Sequence, residues 1–179
     1  APKYEYVATL DSRTSPICRR LDGQEFAYNK GPTPPQHFNC RSTTVPVVDF
    51  DGLQKKYPSL EKPPVGKVVS RPSATGRVPQ GTAYGDWLLK QDKKLQVKTL
   101  GNEGKVNYFK RLAKKEGSGQ KAIRKLVRED GSERSLKDLQ RLYGKPSDIT
   151  IKTKTPKPVA KPVGFERRLV DSSPDQLRK

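Results

Sequence analysis

The chain has 179 residues, 31% of them hydrophobic, with a mean hydropathy of −0.89. That length fits one domain, or one with a small companion, and so little apolar side chain cannot build a core under every segment. A net charge of +18, with no apolar run of about 18 residues, excludes a membrane-spanning helix and makes polyanions the first class of partner and acidic protein surfaces the second.

The charge is uneven. Residues 86–144 carry 16 basic and 8 acidic side chains, whereas residues 1–50 are nearly balanced. Two cysteines are too few for a disulfide framework and fit folding in a reducing compartment, and no signal-peptide pattern is present. The chain has no methionine and starts at Ala1, which leads us to expect either trimming of an initiator or cleavage from a longer precursor.

In chain order, residues 3–10 alternate and are partly aromatic or β-branched, which predicts a strand. Asp11-Ser12 is positioned to cap a short helix running to about Leu21, with Pro16 tolerated in its first turn. Asp22-Gly23 signals a turn, residues 25–28 a second strand, and residues 29–36 a loop in which Pro34-Pro35 enforces extension before His37. Residues 42–48 predict a third strand, with Pro46 demoting it to an edge or marking its end. Residues 49–83 are rich in Pro, Gly, Ser and Lys, and Pro63-Pro64, Arg71-Pro72 and Val78-Pro79 are expected to break any regular element, leaving a linker or extended arm.

Helices are predicted to return with Tyr84, Trp87, Leu88, Leu95, Val97 and Leu100, a pair ending at Gly101. Val106, Tyr108, Phe109, Leu112 and Ala113 mark another, stopped by Gly117-Ser118-Gly119, and residues 122–127 are short and ambiguous. The aromatic spacings suit a helical core rather than base stacking. Asp130-Gly131 is a turn, and Ser135 with Asp138 forms a capping-box pattern before a last helix that ends at Gly144. From 145 onward the chain is a Thr/Lys/Pro-rich basic tail, expected to order only along a partner. The organisation is thus α+β: a mixed strand/helix motif region (1–48), a linker (49–83), a basic region of short helices (84–144) and an extended tail (145–179).

Both cysteines and the only histidine fall within residues 9–41. There Asp11, Arg13, Thr14 and Cys18, then Leu21-Asp22-Gly23, then Pro34-Pro35, His37, Cys40 and Arg41 form a pattern that resembles the phage head morphogenesis domain, the family of phage Mu protein F. Weaker signals extend the resemblance to about residue 143: Tyr84-Gly-Asp-Trp87-Leu88, Leu100-Gly101, Asp130-Gly131 and Ser135-Leu136-Lys-Asp-Leu139. The resemblance implies a non-enzymatic minor head protein of a tailed-phage virion, made in the host cytoplasm. It would lie in the capsid interior near the portal, in several symmetric copies contacting portal or capsid proteins and packaged double-stranded DNA, and would serve head assembly and DNA delivery without a membrane partner.

Ser15 and Ser42 stand where that family often has further cysteines. Cys18, His37 and Cys40 are therefore an incomplete zinc set, with Asp11 or Asp22 as the remaining donor, and no cofactor is expected; a zinc ion, if bound, falls to those three. In the structural reading Cys18 packs as a small buried residue, His37 bridges backbone groups, and Arg13 or Arg41 pairs with a carboxylate such as Asp22. A Cys18–Cys40 disulfide after release into an oxidising medium is a further alternative. Two other functions stay open: a nucleic-acid-binding module, metal-stabilised or not, and an enzyme with Cys18 as nucleophile, His37 as base and Asp11 or Asp22 as orienting group. Lys110, Arg111, Lys114, Lys115, Lys121, Arg124, Lys125 and Arg128 are the candidate phosphate contacts.

Overall fold

A computed structural model describes residues 2–61 and 70–145. The expected tail, except for Lys145, and the Pro63-Pro64 pair lie outside the described residues. What is described is α+β, with seven helices and two small antiparallel sheets. None of the described helices is long and apolar enough to cross a membrane.

Strand β1 (Lys3–Val7) is the centre of a three-stranded sheet, flanked by β2 (Gln24–Ala27) and β3 (Thr43–Val47). Its alternation turns Tyr4 and Tyr6 inward, and β3 with its Pro46 occupies an edge, where a missing N–H costs no ladder bond. The predicted first helix is shorter than expected. Helix α1 (Pro16–Leu21) starts with Ser15 at its N-cap and Pro16 in its first turn. Asp11 does not cap it; its carboxylate instead accepts from the Arg13 N–H (2.9 Å) and the Thr14 hydroxyl (3.1 Å), closing a tight turn ahead of the helix. Helix α1 lies against the sheet, and Tyr6, Ala8, Cys18 and Leu21 form a small core.

Residues 49–83 differ most from expectation. Asp49 caps an exposed helix, α2 (Phe50–Lys56), and a hairpin of β4 (Ser70–Ser73) and β5 (Gly76–Pro79) follows. The prolines do not break this hairpin because each strand has a single partner, so Pro72 and Pro79 sit where no second ladder needs an N–H. The hairpin is tied to the chain beyond β1 by a Leu10–Ser73 bridge and by the Ala74 N–H donating to the Leu10 carbonyl (2.8 Å).

The helical region follows its periodicity closely. Helices α3 (Tyr84–Leu89), α4 (Lys93–Leu100), α5 (Glu103–Glu116), α6 (Gly119–Leu126) and α7 (Leu136–Tyr143) surround the larger core. Tyr84, Trp87, Tyr108 and Phe109 are all buried there with Leu10, Leu88, Leu112, Ile123 and Leu139. The Ser135/Asp138 capping box opens α7. Helices α3 and α6 touch backbone to backbone: a Cβ on Gly85 would fall on the Gly119 carbonyl and the Gln120 nitrogen. Two bonds hold this approach, from the Gly85 N–H to Gln120 Oε1 (2.8 Å) and from the Gly119 N–H to Asp86 Oδ1 (2.6 Å).

Candidate functional site

The motif residues separate into three neighbouring constellations. The first is centred on Asp22, whose side chain is fully buried at the end of α1. A buried carboxylate is tolerated only when every lone pair is used. Here Oδ1 accepts from the Ala8 N–H (2.7 Å) and Arg71 Nη2 (2.9 Å), and Oδ2 from the Tyr84 N–H (2.6 Å) and Arg71 Nη1 (3.3 Å). The Arg71 guanidinium, itself 7% exposed, also donates to the carbonyls of Ala8 and Thr82. The backbone carbonyl of Asp22 accepts from Gln120 Nε2 (3.0 Å) and Arg124 Nη2 (3.3 Å). One residue thus joins the end of β1, α1, the hairpin, the start of α3 and α6. Gly23, at φ 68°, turns the chain out of this hub into β2, with its N–H on the Tyr6 carbonyl (2.8 Å).

The second constellation is Asp11 with Arg41. The guanidinium grips both carboxylate oxygens, at 2.5 and 2.9 Å. Burial pushes the Asp11 carboxyl up, but the bonds from Arg41, the Arg13 N–H and Thr14 outweigh it, and its pKa lies below the ordinary value. Arg41 thus pairs with a carboxylate, as expected, but the carboxylate is Asp11 and not Asp22. Arg41 takes Asp11, Asp22 takes an arginine from the segment read as a linker, and Arg13 is exposed.

The third constellation is Cys18, His37 and Cys40. Cys18, on α1, is buried, and both cysteines are free. Its Sγ lies 3.3 Å from His37 Nε2, 3.7 Å from Cys40 Sγ and 3.2 Å from the Tyr6 hydroxyl. The three candidate ligand atoms all fall within 4.8 Å of one another. Asn39, in the left-handed region at φ 58°, reverses the loop so that His37 and Cys40 face the same sulfur. Burial raises the Cys40 thiol, but hydrogen bonds from the Gln36 and Ser42 backbone and from the Ser42 and Cys18 side chains bring its pKa down to about 6. Burial and Cys18 push the Tyr6 phenol upward, so it stays neutral.

The orienting carboxylate required by the enzyme reading is not in place. Asp11 and Asp22 are held by Arg41 and Arg71, and His37 Nδ1 meets the Phe38 carbonyl at 2.8 Å instead. Neither aspartate joins the Cys18–His37–Cys40 group as a fourth metal donor.

The candidate phosphate contacts divide in two. Arg124 packs against the hub, Lys125 pairs with Glu116 (2.7 Å) and lies over the Tyr143 ring, and Arg128 pairs with Asp138 (2.9 Å). Lys110 is half-buried beside Asp86 and Gly119 in a cleft between α3 and α5. Arg111, Lys114 and Lys115 on α5 and Lys121 on α6 are exposed.

Sequence reasoning missed the residues that join the motif to the helices. Arg19 donates to the carbonyls of Thr14 (2.6 Å) and Thr99 (2.9 Å) and pairs with Glu133 (3.2 Å). Arg20 donates to the carbonyls of Arg124 (3.1 Å) and Val127 (3.0 Å), where the negative end of α6 welcomes a cation. Gln120 reaches the carbonyls of Arg19 and Asp22. Only Arg71 carried a signal, as a basic residue held extended before a proline.

Fold and site together define a small α+β protein whose N-terminal loops are cross-linked by polar and sulfur-bearing side chains. Residues 1–45 match the family model described as Phage Mu protein F like protein. The match covers β1, α1, β2 and the cysteine-histidine loop and ends inside β3, so the continuation to residue 143 expected from the helical motifs is not part of it. No curated protein and no solved structure gives a significant match.

Proposed function

We propose that this chain is a minor head protein of a tailed-phage virion, lying inside the capsid beside the portal and the packaged genome, where it supports head assembly and DNA delivery. The match of residues 1–45 carries this reading. The matched segment is closed on itself by Asp11–Arg41 and tied to the β4–β5 hairpin by Asp22–Arg71, which suits a rigid anchor rather than a catalytic cleft. Its partners are portal or capsid subunits, met in several symmetric copies, and double-stranded DNA held without sequence readout. Particles purified from an infected or induced lysate test the reading. The chain should band with heads and remain with portal rings after mild disruption; recovery only as a free monomer, absent from particles, overturns it.

A second reading, a free nucleic-acid-binding module, is favoured by one observation. Arg111, Lys114 and Lys115 sit at helical spacing on the exposed side of α5, close in sequence to exposed Lys121. It requires tight, salt-dependent DNA binding by the isolated chain together with its absence from purified particles, and that absence distinguishes it from the first.

A further inference from the structure

We propose that Cys18, His37 and Cys40 form a zinc site that staples the loop after β2 to helix α1, with the fourth position open to solvent. The proposal stands on geometry and does not depend on the head-protein reading. Around a tetrahedral zinc ion with Zn–S of about 2.3 Å and Zn–N of about 2.0 Å, two sulfurs lie about 3.8 Å apart and a sulfur and a nitrogen about 3.5 Å apart. The separations here are 3.7 Å for Cys18 Sγ to Cys40 Sγ and 3.3 Å for Cys18 Sγ to His37 Nε2. Cys18 Sγ thus stands at near-tetrahedral spacing from both other donors, and Cys40 Sγ and His37 Nε2 lie within 4.8 Å of each other, so a small inward turn of the His37 loop completes the set.

The second shell points the same way. A carbonyl oxygen can only accept, so the 2.8 Å contact between His37 Nδ1 and the Phe38 carbonyl places a ring proton on Nδ1. That leaves the Nε2 lone pair facing the sulfurs, the tautomer and orientation that metal-bound histidines take from a backbone carbonyl. Ser42 and the Gln36 backbone bond to Cys40, and the Tyr6 hydroxyl sits 3.2 Å from Cys18 Sγ and 4.0 Å from Cys40 Sγ, so the sulfurs have donors around them. With zinc bound, both sulfurs are thiolates, and two thiolates, a neutral imidazole and Zn²⁺ leave no net charge to bury. On the outer side, His37 and Cys40 line a cleft with Arg13, Ser15 and Asn39 that is open to water, where the fourth ligand would enter.

A staple has physical work to do here. The loop carries an almost fully exposed Phe38 and an exposed Tyr28, so it has little apolar contact to hold it, and the core beneath it is only Tyr6, Ala8, Cys18 and Leu21. Small cores of this kind are where a metal ion adds most to stability. Ser15 and Ser42 remove two donors from the sequence pattern, which led to the expectation of no metal; the fold assembles the remaining three.

The test uses the full chain, purified under reducing conditions without chelator. Elemental analysis should find about one zinc per chain, and Co²⁺ exchanged for it should show the sulfur-to-metal charge-transfer band and intense visible bands of a four-coordinate thiolate site. Both thiols should be silent to a thiol reagent until chelator is added, and chelator should lower Tm. His37→Gln should lose the ion while keeping its far-ultraviolet circular dichroism. If that variant unfolds, the Co²⁺ spectrum of the unaltered chain decides alone. Zinc far below one per chain with freely reactive thiols, a Cys18–Cys40 disulfide in the reduced preparation, or full zinc occupancy in Cys40→Ser each overturn the proposal.

Discussion

The sheet half and the helical half of this protein are held together by different physics. The helical half encloses a continuous apolar core, in which α5 packs on α4 and α6 and α3 returns to meet α6. The sheet half has one cluster of four buried apolar residues beside the separately buried Tyr4, and side-chain polar contacts close its loops. Apolar burial is non-directional and tolerates adjustment, whereas a buried ion pair or a ligand cluster fails when one atom is removed. The cysteine-histidine cluster lies in the half held by the directional contacts, and the family-model match is confined to residues 1–45 of that half.

The sharpest break in this contrast should come from Asp22→Ala. It strands the Arg71 charge and orphans the Ala8 and Tyr84 N–H groups, and a loss of about 3–5 kcal/mol is expected in urea denaturation, enough to uncouple the two halves. If the loss were under about 1 kcal/mol, the hub would not be what joins them. Gly85→Ala tests the helical half. The added methyl meets the α6 backbone, which cannot step aside, so a loss of about 1–3 kcal/mol should follow even though alanine favours helix.

The partly exposed Asp11–Arg41 pair should matter less. A double-mutant cycle with Asp11→Ala and Arg41→Ala should give a coupling of about 0.5–1 kcal/mol, reduced by salt. Because the folded pKa of Asp11 is depressed, that contribution is fully present above its unfolded value, near 3.8, and is lost as pH falls through the folded value. Acid titration of the Asp11→Ala variant should lack this component. The smallest effect on folding is expected from Lys114→Gln with Lys115→Gln: stability should move by less than about 0.5 kcal/mol. If DNA is a partner, each removed contact should make the slope of log affinity against log salt shallower by about 1, measured by fluorescence anisotropy.

Much of the helical half was legible because its signals are local. Period, caps and glycine stops placed α3 to α5 and α7, and only α6 was left ambiguous, since its cap, Ser118, lies in the Gly-Ser-Gly segment that reads as a helix stop. The sheet half was legible as strands and turns but not as pairings. Asp22 meets an arginine 49 residues away and the Arg20 guanidinium reaches carbonyls more than 100 residues on, separations over which no sequence period carries information. The hairpin in 70–79 was missed because its proline content argues against strands, and only its two-stranded, edge-only setting makes those prolines harmless.

Composition and local pattern determined that this protein is α+β, basic, helical in its second half, and concentrated in its chemistry between residues 9 and 41. Tertiary structure alone decided which arginine neutralises which aspartate, and that Cys18, His37 and Cys40 converge without either carboxylate. Backbone preferences are written over a few consecutive residues, whereas ion pairing and ligand geometry depend on sub-ångström placement of groups that meet only after the chain has closed on itself.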